Sequence, residues 1–267
     1  MQGRLSVQNP RAYQAFPEKS WAEEFRLAGE SGFQHIEWVL ESHRFDENPL
    51  FVHTAYIAEL SISEGVTVPS LCADFLMDSP LSPGNQGSWR AYEKVIDYSE
   101  RLGIHVIVIP CVDSSSLLDP ANLNNLRLSL PKAIELADRH LIKLALETDL
   151  PPAEFSNLLS SFDTPSIGVN YDSGNSASLG YDFEEEMTSY GDRITDFHVK
   201  DRIRGGQTVK LGQGAADFPK ILNYLSRETF TGIVTMQAWR DEDGVPSAHA
   251  QLAWLNEQFG AMSGDHV

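Results

Sequence analysis

Residues 142–175, IKLALETDLPPAEFSNLLSSFDTPSIGVNYDSGN, decide the fold. The apolar run Ile142–Glu147 has the length of a strand, an amphipathic stretch Ala153–Ser161 follows, and Ser166–Asp172 is again strand-like. Two apolar strands joined through a helix lie parallel in one sheet, because the helix carries the chain back along a face of that sheet. The alternation extends in both directions. Strand-like runs occupy Phe33–Leu40, Val66–Cys72, His105–Pro110, Ile194–Lys200 and Gly232–Ala238. Helical patterns occupy Ser20–Ser31, Phe51–Ser63, Trp89–Leu102, Asn122–His140, Phe183–Tyr190, Phe218–Ser226 and Ser247–Phe259. Seven strands and eight helices require one more strand before the first helix, and Met1–Leu5 is the only candidate. The fold expected is a single-domain α/β chain, a (β/α)8 TIM barrel over residues 1–267. Asp217 and Ser247 stand where N-caps are wanted, and Pro131 is expected to break the fourth helix.

The chain carries 38 acidic against 20 basic side chains, a formal net charge of −18. That argues against binding a phosphate backbone or an anionic membrane surface, which need clustered Lys and Arg. The two cysteines, Cys72 and Cys111, are far apart and form no metal or redox motif. They read as small buried residues and exclude a disulfide framework. No apolar run reaches the roughly 18 residues of a membrane span, and the N-terminus lacks the apolar core of a signal peptide. A cytoplasmic location is expected.

In such barrels chemistry sits at the C-terminal ends of the strands. The fifth to eighth strands in the predicted order end in polar residues, and alternation along each strand says which way they point. Glu147 shares parity with Ala145 and opposes Leu144 and Leu146; Asp172 shares parity with Gly168 and Asn170. His198 opposes Phe197 and Val199, and Gln237 opposes Val234 and Met236. All four point into the barrel at one end. Each alone has an ordinary structural explanation, such as an Asx-turn for Asp172 before Ser173-Gly174-Asn175. Four on successive strands make a site. Mixed oxygen and nitrogen ligation suits one divalent ion, Mn, Mg, Co or Zn, with Mn favoured.

These strand ends resemble the xylose isomerase-like TIM barrel superfamily, the sugar phosphate isomerase/epimerase group. The opening Met1-Gln2-Gly3-Arg4-Leu5-Ser6 is similar to that group, as are Ile36-Glu37-Trp38, Asp172-x-Gly174-Asn175, His198-Val199-Lys200-Asp201 and Leu211-Gly212-x-Gly214-x-x-Asp217-Phe218. The resemblance implies Glu147, Asp172, His198 and Gln237 as metal ligands and Arg204 as a substrate contact. Two departures bear on the reaction: Gln237 replaces the usual carboxylate, and Ala153 replaces a substrate-binding glutamate. Asn175 stands where ketose epimerases of the group have a histidine.

Beyond the metal positions, Arg4, Glu37, Trp38, Asn175, Asp201 and Arg204 are expected to meet substrate, with Arg4, Lys200, Arg202, Arg204 and Arg240 forming a local cationic set. The glycine-rich segment 202–214 is a candidate lid. The expected activity is isomerisation or epimerisation of a free or phosphorylated sugar, or a related polyol-derived carbonyl compound, through an enediolate. Glu147 would move the proton, with Lys200 assisting. The alternatives are a metal-dependent lyase or dehydratase on a related keto compound and a non-catalytic sugar-binding barrel. Because an amide takes no proton near neutral pH, Gln237 places isomerisation or elimination ahead of epimerisation, unless Asp201 or Asp241 supplies a second base. Barrels of this group often pair through one face, so a homodimer is expected.

Overall fold

The computed structural model describes residues 1–2, 5–6, 15–162, 164–227, 230–241 and 244–264, with side chains to residue 260. Its strands are β1 (Trp38–Val39), β2 (Ser70–Cys72), β3 (Val106–Cys111), β4 (Lys143–Thr148), β5 (Ile167–Asp172), β6 (Ile194–Val199), β7 (Asp201–Arg202), β8 (Thr208–Val209) and β9 (Ile233–Met236). Seven of them form a parallel sheet in the order β1-β2-β3-β4-β5-β6-β9, while β7 and β8 make a separate antiparallel ribbon. The fifth to eighth strands of the sequence reading are therefore β4, β5, β6 and β9.

The curled sheet has helices around it, as a TIM barrel requires. Outward positions of the strands, such as Ile107, Ile109, Leu144, Leu146, Val169 and Phe197, join the main apolar core with helix residues such as Leu130, Phe155 and Leu158. Burying each such side chain contributes about 1.5–3 kcal/mol. Cys72, Val106, Val108 and Ala145 form a second, separate cluster from inward positions, with Ile233 against it. The two cysteines are free and buried, as expected.

The first strand expected at Met1–Leu5 is not formed by the described residues of that segment. Met1 and Gln2 still sit between the edges of the sheet: Gln2 N donates to Met236 O at 3.5 Å, and Glu37 N donates to Met1 O at 2.8 Å. Met1 N also donates to His35 O at 2.7 Å, so Met1 bridges to the stretch before β1 and Gln2 to β9, which closes the ring without a strand among the described residues. Leu5 N and Ser6 N then turn aside to the buried carboxylate of Glu24, at 3.1 and 2.7 Å.

Each of the eight predicted helical stretches is helical, with corrections. Phe51–Ser63 is two helices, Pro49–Val52 and Thr54–Glu64. The helix Pro120–Asp138 runs through Pro131 unbroken. Pro131 and Arg127 are both exposed, so water can meet the Arg127 carbonyl that loses its donor. Asp217 caps its helix by accepting from Lys220 N, whereas Ser247 lies inside the helix Gly244–Gly264 and is not its cap. A short helix Ser173–Leu179, which periodicity missed, starts directly from Asp172. Among the described residues no helix is long and apolar enough to cross a membrane.

One irregularity aims the site. Val169 pairs with Ile194, but the next residue, Asn170, pairs with Asp196, so Thr195 is an extra residue on β6. This bulge puts Asp196 and His198 in line with the inward Asn170 and Asp172. It also presses Arg193 O and Thr195 against position 168, where an added Cβ would lie 2.7 Å from each. Glycine is required there. Gly168→Ala should lower unfolding free energy by about 1–3 kcal/mol in urea denaturation, and an unchanged midpoint would show that the bulge yields freely.

Candidate active site

Glu147 ends β4, Asp172 ends β5, His198 lies near the end of β6, and Gln237 follows β9. Their exposures are 6, 4, 0 and 3 %, so each polar group must be satisfied from within. One ligand atom from each of Glu147, Asp172 and His198 lies within 4.8 Å of the others. Ligands at about 2.0–2.4 Å from a divalent ion span no more than roughly that distance across it. The three fit such an ion. The fourth expected ligand is turned elsewhere: Gln237 Oε1 accepts from Lys200 Nζ at 2.7 Å.

Two asparagines fix Glu147. Asn175 Nδ2 donates to its Oε1 at 2.6 Å and Asn170 Nδ2 to its Oε2 at 2.9 Å. Asp172 divides its oxygens: Oδ1 accepts from Gly174 N and Asn175 N at 2.9 and 2.8 Å, and Oδ2 from Lys200 Nζ at 3.2 Å. The Asx-turn and the ligand position are thus one residue used twice. Burial, then the charge of Asp172, pushes the Glu147 carboxyl above its usual range. Burial opposes charge on His198, yet Glu37 at its Nε2 lifts the imidazole to about 10. The pocket therefore holds an excess of carboxylate, offset by the Lys200 ammonium and the His198 imidazolium, which is the setting a divalent cation would enter.

Above these groups a cavity of about 370 Å³ opens between the strand ends. Glu147, Lys200, Asn175 and Gln237 line it, joined by Arg202 and Asp74. Asp74 is not legible in the sequence because it lies beyond the end of β2, in Cys72-Ala73-Asp74, where strand alternation no longer says which way a side chain points. Its Oδ1 accepts from Cys72 Sγ at 3.0 Å. Burial, against the Cys72 hydrogen bond and with the charge of Glu147, pushes Asp74 up to about 7.

The remaining expected contacts are placed differently. Arg4 lies outside the described residues. Trp38 points away from the barrel interior: it packs on Phe16 and Trp21, and its Nε1 donates to Asn48 Oδ1. Its neighbour Glu37 points inward but is buried beneath the cavity, between Gln2, Ser70 and His198. Two adjacent strand residues cannot face one side. Asp201 is fully buried and accepts from Gly214 N and Ala216 N at 2.7 and 3.1 Å, pinning the segment that follows β8. It is no second base. Arg204 is exposed and donates to Gly180 O at 3.3 Å, while Arg202 turns inward and donates to Asn175 Oδ1 at 2.9 Å.

A model of the family described as xylose isomerase-like TIM barrel matches residues 25–258. The chain belongs to that family. It is 27 % identical over 262 residues to a Haemophilus influenzae protein provisionally named L-ribulose-5-phosphate 3-epimerase SgbU, covering 90 % of this chain and 92 % of that one. Among solved structures, the zinc-bound IolI protein superposes with a TM-score of 0.72 at 16 % identity, covering 96 % of each chain. The Escherichia coli 3-keto-D-glucoside 4-epimerase YcjR gives 0.70 at 20 % identity, over 95 % of this chain and 99 % of that one. These two likenesses establish the fold.

Asp74 makes the site sensitive to pH. Its folded-state pKa of about 7 exceeds the ordinary 3.8, so the unfolded chain ionises it first and stability falls progressively as pH rises between those values. The cost is fully present above about 7. Asp74→Asn should therefore raise the Tm of the metal-free protein more at pH 8 than at pH 5. Equal shifts in scanning calorimetry at the two pH values would contradict this.

Proposed function

We propose that the protein is a divalent-metal-dependent isomerase or epimerase of a free or phosphorylated sugar, or of a related polyol-derived carbonyl compound. The observation that carries this reading is the convergence of Glu147, Asp172 and His198 beneath a polar cavity. These three would hold the ion, Mn favoured, with Gln237 Oε1 as a fourth ligand when released from Lys200. Bound there, the ion supplies positive charge opposite the oxygen on which an enediolate develops its negative charge.

The chain's own residues supply the proton chemistry. Glu147, its carboxyl pKa already raised, takes the proton from the carbon beside the carbonyl. Asn170 and Asn175 hold that carboxylate in one orientation while it acts. Lys200 keeps a second positive charge between Asp172 and Gln237.

Inverting a carbon needs a second group to return the proton from the other side, and Gln237 cannot do so. Asp74 can. It lines the same cavity from just past β2, two strands away from the β4 of Glu147, and a pKa near 7 gives it both protonation states at neutral pH. This supports epimerisation as well as isomerisation, and the names of the relatives agree with it.

Three variants test the assignment with a panel of sugars and sugar phosphates in deuterated water. His198→Ala should lose the bound metal while keeping the far-ultraviolet circular dichroism of the barrel. Glu147→Gln should keep metal yet lower deuterium incorporation by about 10²-fold or more. Asp74→Asn should retain incorporation and lose net inversion. Full exchange in Glu147→Gln would remove Glu147 from the role of base.

A further inference from the structure

His198 has two neighbourhoods. Its Nδ1 faces the proposed metal position, 3.2 Å from Asn170 Nδ2 and 3.9 Å from Glu147 Oε2. Its Nε2 faces the opposite way, at ion-pair distance from Glu37 Oε1, 2.9 Å, but at an angle that makes no hydrogen bond. Glu37 is not free to move. Gln2 Nε2 donates to its Oε1 at 2.9 Å and Ser70 Oγ to its Oε2 at 3.0 Å. Asp196 lies behind it, fully buried, with neither carboxyl oxygen receiving a hydrogen bond from a donor group.

Glu37, Asp196 and His198 also bring their ligand atoms within 4.8 Å of one another, as a metal site of their own would. His198 decides between the two uses. One imidazole cannot ligate an ion on each side while remaining neutral, because the neutral ring has one lone pair and one N–H. The cavity opens on the Glu147 side, and Glu37 is absent from its lining.

We propose that Glu37 is a positioning residue: it holds the Nε2–H of His198 so that, once a bound ion displaces the proton from Nδ1, the Nδ1 lone pair faces Glu147 and Asp172. A carboxylate on the far nitrogen of a metal-binding histidine fixes both its tautomer and its ring orientation. Gln2 and Ser70 hold Glu37 in place, which ties the N-terminal segment and β2 to a ligand on β6. The inference rests on the proposed metal site and concerns its construction.

The probe is the metal ion alone. Zinc or manganese binding to the full chain is measured by competition with a chelator, with stoichiometry by elemental analysis. The wild-type protein should bind one ion, and Glu37→Gln should bind one ion about 10–100-fold more weakly. An unchanged dissociation constant in a folded Glu37→Gln protein overturns the proposal and leaves the metal site standing. A wild-type protein that binds no divalent ion overturns both. Two ions in the wild type and one, undiminished in affinity, in Glu37→Gln would make Glu37 a ligand instead. Because that variant can misfold, nitrogen-15 histidine spectra of the zinc-loaded wild type give a second reading. The metal-shifted ring should carry its proton on Nε2 and the metal on Nδ1, and the reverse assignment refutes the proposal.

Discussion

The upper end of the barrel is organised around the repulsion between two buried carboxylates, Glu147 and Asp172, which neighbouring parallel strands bring together. Burial alone raises the free energy of each charge, and proximity adds to it. The surrounding residues respond to that cost. Asn170 and Asn175 donate to Glu147, backbone amides and Lys200 donate to Asp172, and His198 contributes a positive charge held by Glu37. Removing any one of these would leave an uncompensated buried group, so the arrangement is collective.

That collective character depends on backbone features away from the charges. The bulge at Thr195 brings His198 into register with Asp172, and it needs glycine at 168. The hydrogen bonds of Met1 and Gln2 close the sheet beside Glu37, whose partner Gln2 comes from that same segment. Closure of the ring and orientation of the histidine thus draw on the same two residues.

The barrel and the four strand-end residues were legible because both depend on local period. Alternation along β4 and β5, and along β6 past its bulge, is strict enough that parity placed Glu147, Asp172 and His198 inside. What parity does not encode is depth. Glu37 shares the inward face, yet the stagger between strands puts it below the cavity rather than in it. Trp38 was misplaced by overlooking parity itself. Loop residues were the least readable: the choice between Arg202 and Arg204 turns on the course of the β7–β8 ribbon, and Asp74 reaches the cavity from past a strand end. The expected first strand is not an element among the described residues because there the ring is joined through Met1 and Gln2, too short a stretch to make a ladder.

The double use of Asp172 has a consequence for how this site can change over generations. Its Oδ1 starts the helix Ser173–Leu179, and the second residue it caps there, Asn175, is one of the two that orient Glu147. A substitution at 172 would therefore disturb a ligand, a helix start and the proposed base together. Selection acting on any one of those properties acts on all three, so drift toward new chemistry is channelled to the positions that answer to a single neighbour, such as Asp74 on its loop and position 237 at the end of β9.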